Sequence, residues 1–108
     1  MYSFSVWIDS PVCKTGQETA FSAVLNKAIH IVCEVEADPE DVAFRWEFNG
    51  TGPGGDQHVL ISKMSEPRSV LSYTPRTELD FGVFFCWGKN SIGYQKEPCV
   101  FVINPAGR

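Results

Sequence analysis

Four cysteines, Cys13, Cys33, Cys86 and Cys99, are the residues of this chain with the widest chemical repertoire. No pair has C-x-x-C spacing, and neither His30 nor His58 lies close to a cysteine in sequence, which argues against a zinc site. Four well-separated cysteines in so short a chain suit an oxidising compartment and two disulfides, and count alone leaves three connectivities open. Cysteines committed to bridges leave no thiolate nucleophile. Ser, His and Asp all occur, but there is no G-x-S-x-G elbow and no H-E-x-x-H pattern, so the chain reads as non-catalytic. Glu34, Glu36, Asp38, Glu40 and Asp41 gather carboxylates of the kind calcium takes, several around one ion. Alternating strand residues splay along a face instead, so a solvated edge is expected there, and no metal or cofactor is implied. Asn49-Gly50-Thr51 is an N-glycosylation sequon and equally an Asn-Gly turn.

The elements that must position these residues are strands, because the apolar pattern repeats with period two and nowhere holds a helical period. Phe4, Val6 and Ile8 alternate and then meet Pro11, which suits an edge strand with a kink. Ala20 to Leu25 is a short run able to pair again after the Lys14–Glu18 loop. Ile29, Ile31, Cys33, Val35 and Ala37 share one face, with His30, Glu34 and Glu36 on the other. Asp38 to Asp41 is a turn cluster around Pro39, and Phe44, Trp46 and Phe48 then alternate with Ala43, Arg45 and Glu47. Asn49 to Asp56 is a Gly-rich loop, Val59 to Met64 a weak strand, and Val70 to Thr74 another that Pro75 ends. Val83 to Asn90 and Gln95 to Ile103 form a last pair joined by Ser91-Ile92-Gly93-Tyr94. Seven or eight short strands with frequent turns predict an all-β sandwich.

Bulk properties bound the answer further. At 108 residues the chain is one domain, and 44% hydrophobic with 20% charged residues is a globular composition. A net charge of −4 without a basic run excludes the positive surface that nucleic acid requires. No apolar stretch approaches the length of a membrane span. Met1 to Ile8 is apolar but lacks a basic n-region and a small-residue cleavage site, so it is not a signal peptide. The chain therefore reads as a segment of a larger secreted or membrane-anchored protein, with Met1 an expression start.

The ordered set Cys33…Trp46…Leu71…Asp80-x-Gly82-x-Phe84-x-Cys86 resembles the immunoglobulin superfamily and spans most of the chain. The resemblance implies a Greek-key β-sandwich of two antiparallel sheets, of the constant-like or C2/I-set type. Cys33 and Cys86 would bridge the sheets, with Trp46, Leu71 and Phe84 in the core beside them. It also implies a second bridge, Cys13–Cys99, between the first and last strands along one edge, the alternative being that Cys13 or Cys99 pairs with another chain. Phe84 departs from the family, which usually has a tyrosine there whose hydroxyl ties the E–F corner, so packing without that corner is expected. Asp80 and Arg76 are placed to ion-pair beneath the same turn, as a similar pair does in many such domains. A narrower resemblance is to arthropod multi-immunoglobulin receptors of the sidestep and nephrin-like type. It is carried by Pro11-Val12-Cys13-Lys14-x-Gly16-Gln17, Cys33-Glu34-Val35-Glu36-Ala37-Asp38-Pro39, Phe44-Arg45-Trp46-x-Phe48-Asn49 and Cys86-Trp87-Gly88-x-Asn90-x-Ile92-Gly93.

Members of that group are neuronal surface proteins that guide axons by binding other immunoglobulin proteins, notably of the beaten-path type. The resemblance implies an internal repeat, with 1–10 as linker and start of strand A, 11–104 as the domain and 105–108 as the exit to a following domain. With Phe84 and Cys86 facing inward, Phe85 and Trp87 face outward beside Arg45, which is the composition of a protein-binding hot spot. The competing reading is that long neighbours such as Arg45 and Lys89, or a linker, cover both rings. The expected role is an extracellular module of a plasma-membrane adhesion or guidance receptor, touching a partner or spacing a binding domain from the membrane. A soluble immune-recognition protein and the ectodomain of a receptor kinase are the alternatives.

Overall fold

The computed structural model describes residues 9–50, 57–63 and 66–106. Phe4, Val6 and Ile8, read above as an edge strand, lie outside them. Among the described residues eight strands follow in order: β1 (Asp9–Cys13), β2 (Ala20–Ala23), β3 (Ile29–Asp38), β4 (Ala43–Gly50), β5 (Gln57–Lys63), β6 (Arg68–Tyr73), β7 (Gly82–Lys89) and β8 (Cys99–Pro105). They build two layers, a three-stranded sheet ordered β1-β3-β6 and a five-stranded sheet ordered β2-β8-β7-β4-β5. Period-two patterning produces this directly: in β3, β4 and β7 every second residue is buried between the layers.

Not every pairing is antiparallel. β2 runs parallel to β8, so the larger sheet is mixed. The cause lies in the Lys14–Thr19 loop, which carries the chain from the edge of one sheet to the edge of the other without reversing its direction. Gly16 takes a φ of 84° in this crossing, a conformation open to glycine at little cost. β1 stops at Cys13, and although the Lys14 N–H still reaches the Glu34 carbonyl at 3.0 Å, the Glu34 N–H is left to a side chain. The Gln17 amide accepts from the Glu34 N–H (2.9 Å) and donates to the Glu34 carbonyl (3.0 Å), as a strand backbone would. The expected kink at Pro11 is a register shift between Asp9 and Val12, where a residue without an N–H costs no ladder bond.

Both disulfides join the two layers. Cys33 and Cys86 are fully buried with Cα atoms 6.6 Å apart, and Cys13–Cys99 closes the side of the sandwich at 5.6 Å. Trp46 lies across from Cys86 on the adjacent strand and packs against Phe84 (6.1 Å) and Phe101 (5.9 Å). Its buried indole N–H donates to the Ser69 hydroxyl at 3.0 Å, so the large ring fills the centre without orphaning its polar atom. Leu71 and Phe84 complete this core as expected.

The last hairpin differs from its sequence reading. β8 starts at Cys99 rather than Gln95, because Gln95 turns its side chain inward and leaves only an isolated bridge between Lys89 and Tyr94. At the turn between β6 and β7, Asp80 does not pair with the Arg76 guanidinium. Its carboxylate accepts from the backbone N–H of Arg76 (2.8 Å) and of Thr77 (3.0 Å), capping the short 3₁₀ turn Glu78–Asp80. The corner hydroxyl missing at Phe84 comes from elsewhere. Tyr73, on β6, donates to the Asp80 carbonyl at 2.8 Å, with its ring edge-on to Phe84 at 4.8 Å. Gly82 then opens β7 where a Cβ would run into the Asn49 carbonyl, so no larger residue fits that approach.

Candidate functional site

The outward positions of the five-stranded sheet form the candidate site. On β4 they are Ala43, Arg45, Glu47 and Asn49, and on β7 Val83, Phe85, Trp87 and Lys89, since the alternate residues of each strand are buried. The antiparallel register sets Arg45 opposite Trp87, Glu47 opposite Phe85 and Asn49 opposite Val83. β8 continues the surface with Val100 opposite Phe85 and Val102 opposite Val83, exposed at 41% and 37%. Phe85 and Trp87 are half-buried. Three sequence-predicted residues, Arg45, Phe85 and Trp87, therefore share one face.

Their polar atoms are organised by a fourth residue that sequence reasoning did not single out. The Glu47 carboxylate accepts from the Trp87 indole N–H at 3.2 Å through one oxygen and pairs with the Arg45 guanidinium at 2.7 Å through the other. Both charged side chains are partly solvated, so the pair contributes little to stability, and its consequence is orientation. Lys89 turns away to sit over the Tyr94 ring at 5.0 Å, a favourable cation–π contact. Arg45 and Lys89, the residues considered as covers for the aromatic pair, are thus engaged with Glu47 and Tyr94. The arrangement offers half-exposed rings for apolar contact, flanked by a fixed cation and anion.

Sequence reasoning also passed over the hairpin tip, where Ile92 and Tyr94 are exposed at 51% and 63%. Asn90 holds this tip, its Oδ1 accepting from the N–H of Ile92 (3.0 Å) and of Gly93 (3.1 Å). Its Nδ2 donates to the Pro39 carbonyl at 3.0 Å, tying the tip to the turn after β3. The Asn-x-x-Gly spacing was the available signal, since asparagine side chains commonly mimic a backbone turn.

Asn49 is exposed at one end of the same outer face, while Thr51 of its sequon lies outside the described residues. Of the acidic cluster, Glu34 faces Lys14 at 3.9 Å and Arg68 at 3.5 Å. Among the described residues no group of three or more His, Cys, Asp or Glu is gathered as metal ligands would be.

No family model matches the chain. The synaptogenesis protein syg-1 of Caenorhabditis elegans is 30% identical to it over 77 residues, covering 68% of this chain and 10% of that protein. The chain thus spans about a tenth of the length of the curated relative it matches. Among solved structures, a chain of the titin M10–obscurin-like 1 immunoglobulin complex superposes with a TM-score of 0.60 at 19% identity, covering 89% of this chain and 93% of that one.

Proposed function

The chain belongs to the immunoglobulin superfamily, and from that premise we propose that it is a non-catalytic extracellular module of a multi-domain cell-surface adhesion or guidance receptor. Its partners are other immunoglobulin-superfamily surface proteins, met through the outer face of the larger sheet. The observation that carries this reading is the Arg45–Glu47–Trp87 arrangement, a pre-oriented ion pair and indole beside half-exposed Phe85 and exposed Val100. Buried aromatic and arginine anchors with little left to order on binding are the usual energetic centre of a protein interface. Two disulfides suit an oxidising, extracellular setting, and similarity to a protein named for synaptogenesis fits a surface-recognition role. Beaten-path-type proteins are the narrower candidate partners, on the strength of the sidestep-like sequence pattern. Residues 11–104 act as the module. A glycan on Asn49 borders the face at its Val83 end and leaves the Arg45–Trp87 end open.

The test is surface binding of the domain, parent and Trp87→Ala, against a panel of extracellular immunoglobulin proteins that includes beaten-path types. Loss of the indole lowers affinity at least about thirtyfold, the effect of a hot-spot truncation of roughly 2 kcal/mol, with the fold intact by circular dichroism. Parent binding that Trp87→Ala leaves unchanged removes this face as the site. Absence of binding where the full ectodomain binds assigns the domain a spacer role.

A further inference from the structure

The two disulfides sit in different chemical settings. Cys33–Cys86 is sealed in the core, both residues fully buried. Cys13 is only half-buried and lines two surface clefts, one of about 410 Å³ with Pro11, Lys96 and Pro98, the other with Lys14, Gln17, Val100 and Cys99. Its partner Cys99 is buried at 4% exposure. Beside this bridge lies Gln95, also 4% exposed and placed by the inward turn that delays β8.

Gln95 can take only one orientation. Its Oε1 accepts from the Gly88 N–H at 2.5 Å, and its Nε2 donates to the Glu97 carbonyl at 2.9 Å. An inverted amide would oppose donor to donor and acceptor to acceptor. Nε2 carries two hydrogens. The nitrogen lies 3.3 Å from Cys13 Sγ and 3.6 Å from Cys99 Sγ, so the amide presents a donor to both sulfurs of the bridge. No sulfur of an intact disulfide needs such a donor, whereas a thiolate gains from one.

We propose that Cys13–Cys99 is a thiol–disulfide exchange site, with Gln95 as the residue that receives the leaving thiolate. An external thiolate attacks Cys13 Sγ, the sulfur of the more exposed of the two cysteines and the one that lines both clefts. A new S–S bond forms between them as the Cys13–Cys99 bond breaks, and the electron pair leaves on Cys99 Sγ, held by the Gln95 N–H until a proton arrives from solvent. A second thiol then attacks the mixed disulfide, releasing the Cys13 thiolate and leaving the reductant oxidised as its own disulfide. The ligand class is an anionic thiol of the glutathione kind, for which Lys96 and Lys14 line the two approaches, with Glu97 beside Lys96 in the larger cleft. Opening the bridge uncouples β1 from β8 and leaves it held by its β3 ladder, while the core bridge keeps the layers together.

The experiment exposes the oxidised protein to graded reduced glutathione, quenches with an alkylating agent and maps every cysteine by peptide mass. The expected first product carries glutathione on Cys13 and a free Cys99, with Cys33–Cys86 intact. Opening of Cys33–Cys86 first or together with the other bridge overturns the proposal, as does an adduct found on Cys99 instead of Cys13. Gln95→Leu slows formation of the Cys13 adduct about threefold to tenfold, because a charge-assisted donor is lost from the leaving group. An unchanged rate in a folded Gln95→Leu protein overturns the role of Gln95. Should that variant not fold, adduct position and order of opening in the parent still decide the site.

Discussion

Replacing Tyr73 by Phe isolates the relocated corner bond. The substitution keeps the ring contacts with Phe84 (4.8 Å) and Phe48 (5.5 Å) and removes only the hydroxyl that reaches the Asp80 carbonyl. That bond is partly buried, so water recovers some of the loss, and the net cost is about 1 kcal/mol. For a domain near 100 residues this lowers the melting temperature by roughly 4–8 °C. The reciprocal change, Phe84→Tyr, restores the residue the superfamily usually has but finds the Asp80 carbonyl already engaged. In the parent it therefore gains nothing, and it adds a hydroxyl to a site only 2% exposed. In the Tyr73→Phe background the same change meets a vacated acceptor, so the two substitutions couple favourably by about 1 kcal/mol. The assay is thermal and urea unfolding of the parent, both single variants and the double variant, with both disulfides intact, combined as a double-mutant cycle. A Tyr73→Phe protein as stable as the parent refutes the reasoning, and so do strictly additive effects.

Three further outcomes follow from the same contacts. Gly82→Ala forces β7 away from Asn49 and lowers stability by at least ~1–3 kcal/mol, read from the urea midpoint at constant slope. Gln17→Leu strips the partner from the Glu34 N–H and leaves the Glu34 carbonyl to the Lys14 N–H, so amide exchange at Glu34 accelerates while exchange at Ile31, deep in the core, stays near the parent rate. Asn49 and Gly50 end β4 rather than forming the turn or loop start read from sequence. Expression in a eukaryotic secretory host adds a glycan to Asn49, seen as a mass shift that Asn49→Gln abolishes, whereas an unshifted mass leaves the sequon unused.

The sequence carried the layers because burial is written with period two. Phe44, Trp46 and Phe48, or Ile31, Cys33 and Val35, can be assigned to one face before any neighbour is known, and all of them are buried. The outward placement of Arg45, Phe85 and Trp87 follows by the same alternation. Once strand order was supplied by the immunoglobulin-like pattern, so did the partners of all four cysteines. Other features depend on atoms distant in the chain. Whether β2 joins its sheet parallel or antiparallel turns on the path of a loop, and local alternation is the same for both. Glu47 carries no mark of its role, which arises only where its carboxylate falls between Arg45 on its own strand and Trp87 on the next. The Tyr73 hydroxyl and the Gln95 amide belong to the same class. Side-chain alternation says which way a residue points, but the acceptor or sulfur it meets is delivered by another strand, and only the packed sandwich brings the two within hydrogen-bond reach.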